Sequence, residues 1–161
     1  MIGNFLDEHP QWIKYLHKKT AGPPKEGFHL HEQFEIYFYI SGNINFFVEK
    51  TSYPLQYGNL LVFNNLEIHK ASYLPGEPYE RITIHFNPVI SRQFCTENCN
   101  LLAPFLHRPK GKGNKINLTI AQTNELIQIF QRIDALNKNS YIDTPILKLT
   151  YFIELLVFIN R

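Results

Sequence analysis

Three histidines and one glutamate stand in a pattern that could hold a metal ion. His29 and His31 are two residues apart in a segment with strand character, so their side chains point to one face. Glu35 follows four residues later, and His69 lies in a later segment with strand character. Three imidazoles and one carboxylate could converge on iron, manganese, nickel or zinc. The same side chains could instead line a cavity and hydrogen-bond an organic ligand, or serve the structure alone.

Two tyrosines extend this polar face. Tyr37 and Tyr39 share the strand parity of Glu35, whereas Ile36 and Phe38 take the opposite face. Aromatic walls with hydroxyl tips suit a sugar or another small polar metabolite. The alternative is that both tyrosines pack in the core and direct their hydroxyls to the surface.

A later segment adds a cation to the candidate site. Arg81 shares its parity with Thr83 and His85. A guanidinium binds a carboxylate through two parallel hydrogen bonds, so Arg81 could pair with an anionic group of a ligand. A salt bridge within the chain, to Glu77 or Glu80, would account for the same arginine.

Short strands must position these residues. Apolar and aromatic segments of about five to eight residues are separated by turn residues such as Ser41-Gly42-Asn43. Closely spaced short strands are typical of an antiparallel sandwich or barrel. The spaces between them are too short for crossover helices, which excludes a parallel α/β sheet. The predicted strands cover residues 27–31, 34–41, 43–50, 53–57, 60–64, 68–73 and 79–87.

Two helices are predicted after the strands. Thr119 and Gln122 form a capping-box pattern at the start of a segment with helical periodicity over 119–137. A second helix opens at Thr144-Pro145 and continues to the end of the chain. Its second half is apolar on nearly every face, so we expect one face to meet a second subunit. The residues expected in this homodimer interface are Leu149, Phe152, Ile153 and Leu156.

The whole chain divides into four predicted segments. Residues 1–26 are expected to form an arm with one short helix, which could fold over a barrel mouth as a lid. Residues 27–90 form the barrel core, and residues 91–118 are an irregular segment that completes the barrel. Residues 119–161 form the helical pair. The run Lys110-Gly111-Lys112-Gly113-Asn114-Lys115 is expected to be an exposed loop tip.

Composition narrows the class of protein. The chain has 161 residues, of which 44% are hydrophobic and 14% aromatic, which fits one domain rich in strands. A net charge of +2 gives no electrostatic footprint for nucleic acid. No apolar run reaches the length of a membrane helix, and the N-terminus lacks a secretory signal. Only Cys95 and Cys99 are present, as expected for reduced thiols in a cytoplasmic protein.

One stretch resembles the first motif of the cupin superfamily. Residues 29–42 read His, any residue, His, three residues, Glu, six residues, Gly. The stretch from Gly58 to His69 resembles the second motif, with Asn64 and Leu66 where that motif usually has proline and glycine. The resemblance implies a double-stranded β-helix, also called a jelly roll. The metal ligands that it implies are His29, His31, Glu35 and His69.

The wider context is similar to the N-terminal domain of AraC-type transcriptional regulators. The similarity covers roughly residues 25–161 and includes the segments 53–61 and 79–88. It implies a jelly-roll domain that binds a small-molecule effector and forms a homodimer. In such regulators a domain with two helix-turn-helix units follows and contacts the DNA. Because the chain stops straight after its last predicted helix, we expect that domain beyond Arg161.

Three functions remain open at this level. The first is a regulator's effector sensor that contacts DNA only through the further domain. The second is a metal-dependent cupin enzyme, a dioxygenase or isomerase, and the third is a stand-alone sugar-binding cupin. Nucleophile motifs are absent, so no catalytic residue is predicted. The first function is favoured because the cupin-like motifs are joined to an apolar last helix of the kind expected in a dimer. The expected effector-binding residues are His29, His31, Glu35, Tyr37, Tyr39, His69 and Arg81.

Overall fold

Two antiparallel sheets form the body of the protein. The computed structural model describes residues 12–21, 27–73, 77–138 and 141–161. The strands are β1 (Ile13–Ala21), β2 (Phe34–Ser41), β3 (Ile44–Val48), β4 (Thr51–Pro54), β5 (Leu60–Phe63), β6 (His69–Tyr73), β7 (Pro78–Phe86) and β8 (Lys115–Ile116). Within these ranges a five-stranded sheet has the order β1-β7-β2-β5-β8, and a three-stranded sheet has the order β4-β3-β6. The mainly β architecture is therefore confirmed.

The larger sheet separates two layers of the core. On β2, Phe34, Ile36 and Phe38 belong to a cluster shared with the helices, whereas Tyr37 and Tyr39 belong to a cluster shared with the smaller sheet. Every residue of β2 from Phe34 to Tyr39 is buried. The predicted alternation of side chains along this strand is confirmed, and both of its faces are covered.

The segment predicted as a helical arm contains a strand. All nine residues of β1 pair with β7 in antiparallel register, and β1 forms an edge of the larger sheet. The prediction of a short helix is wrong for these residues, because their side chains follow a period of two. Tyr15 packs toward the helices while Leu16 and Lys18 line the opposite face. The rest of the predicted arm, 1–11 and 22–26, lies outside the described residues, as does the predicted turn at 74–76.

The hairpin between β3 and β4 is tighter than the sequence indicates. Strands were expected over 43–50 and 53–57, whereas β4 spans Thr51–Pro54. The connecting turn is Glu49-Lys50, and Glu49 adopts a positive φ of 53°. Positive φ at a two-residue turn usually calls for Gly or Asn, so the sequence carries no strong signal for a turn here.

In the part of the chain that the structure describes, four helices follow or flank the strands. They are α1 (Pro88–Arg92), α2 (Ala103–Leu106), α3 (Ile120–Lys138) and α4 (Thr144–Ile159). The predicted capping box is present, since the Thr119 amide donates to Gln122 Oε1 at 2.9 Å and the Gln122 amide donates to Thr119 Oγ1 at 3.2 Å. The two predicted C-terminal helices are thus confirmed as α3 and α4. Within the described ranges, no helix has the length and apolar character needed to cross a membrane.

Most of the residues predicted to form a dimer interface pack instead in the core of the domain. Leu149, Phe152 and Leu156 are buried in the core shared by α4 and the larger sheet. Ile153 is only partly buried. The expectation that these side chains meet a second subunit is corrected for the three buried residues, and it stays a prediction for Ile153. The apolar second half of α4 has its broad buried face because it covers the sheet.

Candidate functional site

His29 reaches the site through a single bridge to β6. Its amide donates to the His69 carbonyl at 3.0 Å, and the His69 amide donates back to the His29 carbonyl at 3.1 Å. The strand predicted over 27–31 is reduced to this bridge. The bridge still sets the two side chains side by side, with ring centroids 4.5 Å apart.

The four residues implied by the motif pattern converge. One ligand atom from each of His29, His31, Glu35 and His69 lies within 4.8 Å of the other three. Glu35 Oε2 is 3.0 Å from His31 Nε2 and 3.2 Å from His69 Nε2. Glu35 is supplied by β2, and the exposed fraction of this residue is only 4%. A carboxylate this deeply buried needs cationic partners to stay ionised.

The protonation states of the cluster follow from its hydrogen bonds. Burial alone would raise the pKa of Glu35, but hydrogen bonds from His31, His69 and His85 hold that pKa well below its ordinary value. The pKa of His31 is raised, chiefly by its hydrogen bond to Glu35. A buried carboxylate is therefore stabilised as an anion among imidazoles.

Each of the three motif histidines turns the same nitrogen away from the centre. Nδ1 lies 3.3 Å from the Gly27 carbonyl in His29, 2.6 Å from the Gln33 carbonyl in His31 and 2.9 Å from the Glu67 carbonyl in His69. A carbonyl oxygen can only accept, so each Nδ1 carries a proton and donates it. Nε2 is left to face the cluster, and in His69 this buried atom lies 3.2 Å from Glu35 Oε2.

This donor set fits a divalent metal ion. Metal-bound histidines usually donate their second ring N–H to a carbonyl or carboxylate, and all three histidines do so here. Three imidazole nitrogens and one carboxylate oxygen suit iron, manganese, nickel or zinc. The residues present therefore match the metal role that the cupin motif implies.

A buried ion pair holds the loop that carries His69. Arg108 donates to both carboxylate oxygens of Glu67, at 2.6 Å each, and the Gly111 amide adds a bond at 2.8 Å. Burial would raise the pKa of Glu67, but these donors lower it below its ordinary value. Asn114 is fully buried and donates to the same carboxylate. The run 110–115, expected to be an exposed loop tip, is thus partly anchored in the interior.

The same contacts explain the altered second motif. Asn64 Oδ1 accepts from the Leu66 amide at 2.9 Å, and Asn64 Nδ2 donates to the Phe105 carbonyl at 2.9 Å. Asn64 therefore stabilises this turn by side-chain hydrogen bonds where proline is usual in the motif. The Glu67 carbonyl then receives His69 Nδ1. The turn keeps His69 in the cluster although the usual proline and glycine are absent.

A cavity of about 360 Å³ opens beside the cluster, between the two sheets. Glu35, Tyr37 and Arg81 line it together with His29 and His85. Its size falls in the range of about 300–1,000 Å³ that is typical of small-molecule sites. The Tyr37 hydroxyl is buried and has no hydrogen-bond partner among the residues that the structure describes. This cavity offers a ligand both charged and hydroxyl groups.

A profile of the family described as the AraC-like ligand binding domain matches residues 18–141. This chain belongs to that family. No curated protein matches the chain.

Solved cupin structures resemble this AraC-like domain. A Cupin 2 conserved barrel domain protein from Salinispora arenicola matches at 14% identity and a TM-score of 0.43, over 52% of this chain and 70% of that chain. A predicted oxalate decarboxylase from Thermotoga maritima matches at 18% identity and a TM-score of 0.43, over 50% and 72%. An RmlC-like cupin family protein from Methanocaldococcus jannaschii matches at 11% identity and a TM-score of 0.40, over 46% and 69%.

The AraC-like domain differs from the sequence expectation at four site residues. His31 and His69 belong to the histidine cluster but do not line the cavity, although both were expected to bind the effector. Tyr39 does not line the cavity; its hydroxyl donates to the Gly42 carbonyl and its ring packs in the core between the sheets. His85 was given no role from the sequence, yet its Nε2 lies 3.4 Å from Glu35 Oε2. The signal that could have found it is its parity with Arg81 and Thr83, since all three side chains of β7 face the cavity.

Proposed function

We propose that this AraC-like domain senses a small-molecule effector for a transcriptional regulator. The observation that carries the proposal is the cavity of about 360 Å³ between the sheets, in a chain whose family is defined by ligand binding. The cavity combines aromatic walls with a few converging polar groups, as small-molecule sites usually do. DNA contact belongs to a separate domain in this proposal, since a net charge of +2 offers little attraction for phosphates.

The larger sheet supports a route from effector to output. Residues of β2 and β7 line the cavity on one face and pack against α3 and α4 on the other. An effector can shift the domain only if it binds two arrangements with different affinity. We therefore propose that a ligand in the cavity changes the position of α3 and α4 on the larger sheet. This change would alter the arrangement of the two subunits in a homodimer.

Two exposed side chains of α4 mark the surface proposed for that homodimer. Ile146 is 54% exposed and Val157 is 37% exposed, and partly buried Ile153 lies between them on the same helical face. This stripe replaces the interface first expected from the sequence. A second copy of the chain is the partner that a regulator of this kind requires.

A cavity-blocking pair of variants tests the effector proposal. Ala71 lines the cavity, whereas the neighbouring Ser72 on β6 is exposed on the other face. We expect a stabilising compound from a metabolite panel to raise the melting temperature of the wild type and of Ser72→Phe, but not of Ala71→Phe. Fusion to a DNA-binding domain that needs dimerisation should then give a reporter that responds to that compound. A reporter that ignores the bound compound would contradict sensing.

A metal-dependent cupin enzyme is the second candidate, and the donor set favours it. His29, His31, Glu35 and His69 would hold the ion. Such an ion would supply Lewis-acid or redox chemistry to a ligand in the adjoining cavity. The chain's own contribution would be to position that ligand with Tyr37 and Arg81. Stoichiometric metal in protein purified without an affinity tag, with metal-dependent oxygen uptake or isomer formation, would favour this function over sensing.

A further inference from the structure

Two cations face the cavity directly opposite each other. Lys18 on β1 pairs in register with Arg81 on β7, and both side chains line the cavity. Residues directly opposite in an antiparallel pair have neighbouring side chains, and like charges there destabilise the sheet. The two strands therefore hold positive charge at one end of the cavity.

No carboxylate of the described residues neutralises this pair. None of the ion pairs in those ranges includes Lys18 or Arg81. Arg81 Nη1 donates to Thr20 Oγ1 at 3.1 Å, and its guanidinium lies 4.3 Å from the Tyr79 ring. Both contacts orient the guanidinium and leave its charge without a counter-ion. The neighbouring Lys19 pairs with Glu80 instead.

Hydroxyl groups occupy the next row of the cavity wall. Thr83 follows Arg81 on the same face of β7 and is paired in register with Tyr37 on β2. Residues two apart on a strand are separated by about 6.5 Å, roughly the length of a small sugar ring. Within the described ranges the buried Tyr37 hydroxyl has no hydrogen-bond partner, so a ligand group beside it would supply one.

We propose that the cavity binds a polyhydroxylated organic anion of sugar size. Its charged group, a carboxylate or a phosphate, lies between Arg81 and Lys18, and a hydroxyl group meets Tyr37. Arg81 supplies charge-assisted hydrogen bonds, which are stronger than neutral ones. This inference rests on the effector function proposed above and adds the chemical class of the effector. The histidine cluster borders the same cavity through His29, Glu35 and His85, and the proposed anion contacts do not require a metal ion there.

Three probes that share one ring test the charge requirement. Glucuronate, glucose 6-phosphate and glucose differ only at carbon 6, and calorimetry in the presence of EDTA keeps metal ions out of the comparison. We expect glucuronate or glucose 6-phosphate to bind and glucose to bind much more weakly. Arg81→Gln should weaken binding of the anion by about 10- to 100-fold, whereas Lys19→Gln, on the other face, should leave it unchanged. Tighter binding of glucuronate would identify the charged group of the ligand as a carboxylate, and tighter binding of glucose 6-phosphate would identify it as a phosphate.

Folding is monitored separately, because Arg81 also contacts Tyr79 and Thr20. Lys18→Gln removes one of the facing charges without those contacts, and we expect it to weaken anion binding while the melting temperature of the free protein holds or rises. Equal binding of glucose and the anions, or unchanged anion affinity in Arg81→Gln, would overturn this inference and keep the cavity as an effector site. Absence of binding by all three probes would also overturn it. Anion binding without a reporter response would instead overturn only the sensing role.

Discussion

At the scale of single residues, backbone hydrogen bonds set the orientation of the imidazole rings in the histidine cluster. The Nδ1 atoms of His29, His31 and His69 all donate to backbone carbonyls, so three Nε2 atoms and a carboxylate share one small space. Acceptors that face one another repel unless a proton or a cation lies between them. The raised pKa of His31 is one response to this arrangement, and a bound metal ion would be another.

Replacing His69 tests the cluster as a metal site. His69→Ala should lower the affinity for added Ni²⁺ or Zn²⁺ by more than about 100-fold, because loss of even a ligand's hydrogen-bond partner lowers affinity by about 10- to 100-fold. His107 is exposed and lies outside the cluster, so His107→Ala serves as the control. Calorimetry and elemental analysis after dialysis measure the effect. Equal metal content in both variants would exclude the cluster as the binding site.

The Glu67–Arg108 pair is predicted to be a main source of local stability. Glu67 is fully buried, and Glu67→Gln would leave the Arg108 charge without its anion. Removing one partner of a buried pair typically costs about 3–5 kcal/mol of unfolding free energy. Glu49→Gln breaks the exposed pair with Lys110 and should cost less than about 1 kcal/mol. Urea unfolding measures the free energy of unfolding of both variants. Similar decreases would show that the buried pair contributes no more to stability than the exposed pair.

The sequence predicts the four residues of the cluster, but it does not predict the neighbouring residues that hold them in position. The spacing of His29, His31 and Glu35 is local, and strand parity is enough to place such residues on one face. Arg108 and Asn114 reach Glu67 from more than 40 residues away, and no local pattern predicts such a contact. His85 is likewise placed by the pairing of β7 with β2, which the sequence does not specify.

At the scale of elements, positive-φ positions close the turns between strands. Gly42 has a φ of 120°, and a Cβ added there would lie 2.5 Å from the Tyr79 Cβ. The glycine of the first cupin-like motif is therefore needed for both backbone conformation and close packing of β7. That requirement explains the glycine without reference to a ligand.

A glycine pair tests this interpretation. Gly42→Ala should lower the free energy of unfolding by at least about 1–3 kcal/mol, from the strained φ and the clash with Tyr79. At Gly27 an added Cβ meets nothing within 4 Å, so Gly27→Ala should change stability by less than about 0.5 kcal/mol. Thermal or urea unfolding of both variants measures the difference. A Gly42→Ala protein as stable as Gly27→Ala would refute the packing argument.

The periodicity of the sequence predicts most of the helices and strands, whereas β1 depends on pairing with a strand that is distant in the chain. The capping box at Thr119 and the proline of Thr144-Pro145 mark α3 and α4 within one residue. β1 was missed because its residues are charged and only alternate weakly, and it is stabilised by pairing with a distant strand. The Glu49-Lys50 turn was missed because its positive φ falls on a residue that rarely adopts one.

At the scale of the whole molecule, the larger sheet connects two different surfaces. One face borders the cavity with its charged and hydroxyl groups, and the other seats the helices in an apolar core. A close-packed core transmits small displacements because it has no space to absorb them. The proposed effector and the proposed partner on α4 would therefore lie on opposite sides of the same strands.

The proposed homodimer surface can be tested without disturbing the core. Ile146→Glu combined with Val157→Glu should convert a dimer to a monomer in analytical ultracentrifugation, because charged groups would be buried in the interface. Ile120, at the start of α3, is 84% exposed, so Ile120→Glu is the control and should leave the mass unchanged. A wild-type chain that sediments as a monomer at all concentrations would contradict the dimer.

The position of β1 also matters while the protein is being made. This strand precedes its partner β7 by five other strands, so it leaves the ribosome long before the residues that it pairs with. A strand left waiting in this way exposes its backbone edge to other nascent chains. We expect the positive charges of Lys14, Lys18 and Lys19 to repel such neighbours and so to keep this segment from associating with them. Lys18, which is proposed to bind an anion in the folded domain, is therefore also expected to reduce aggregation during synthesis.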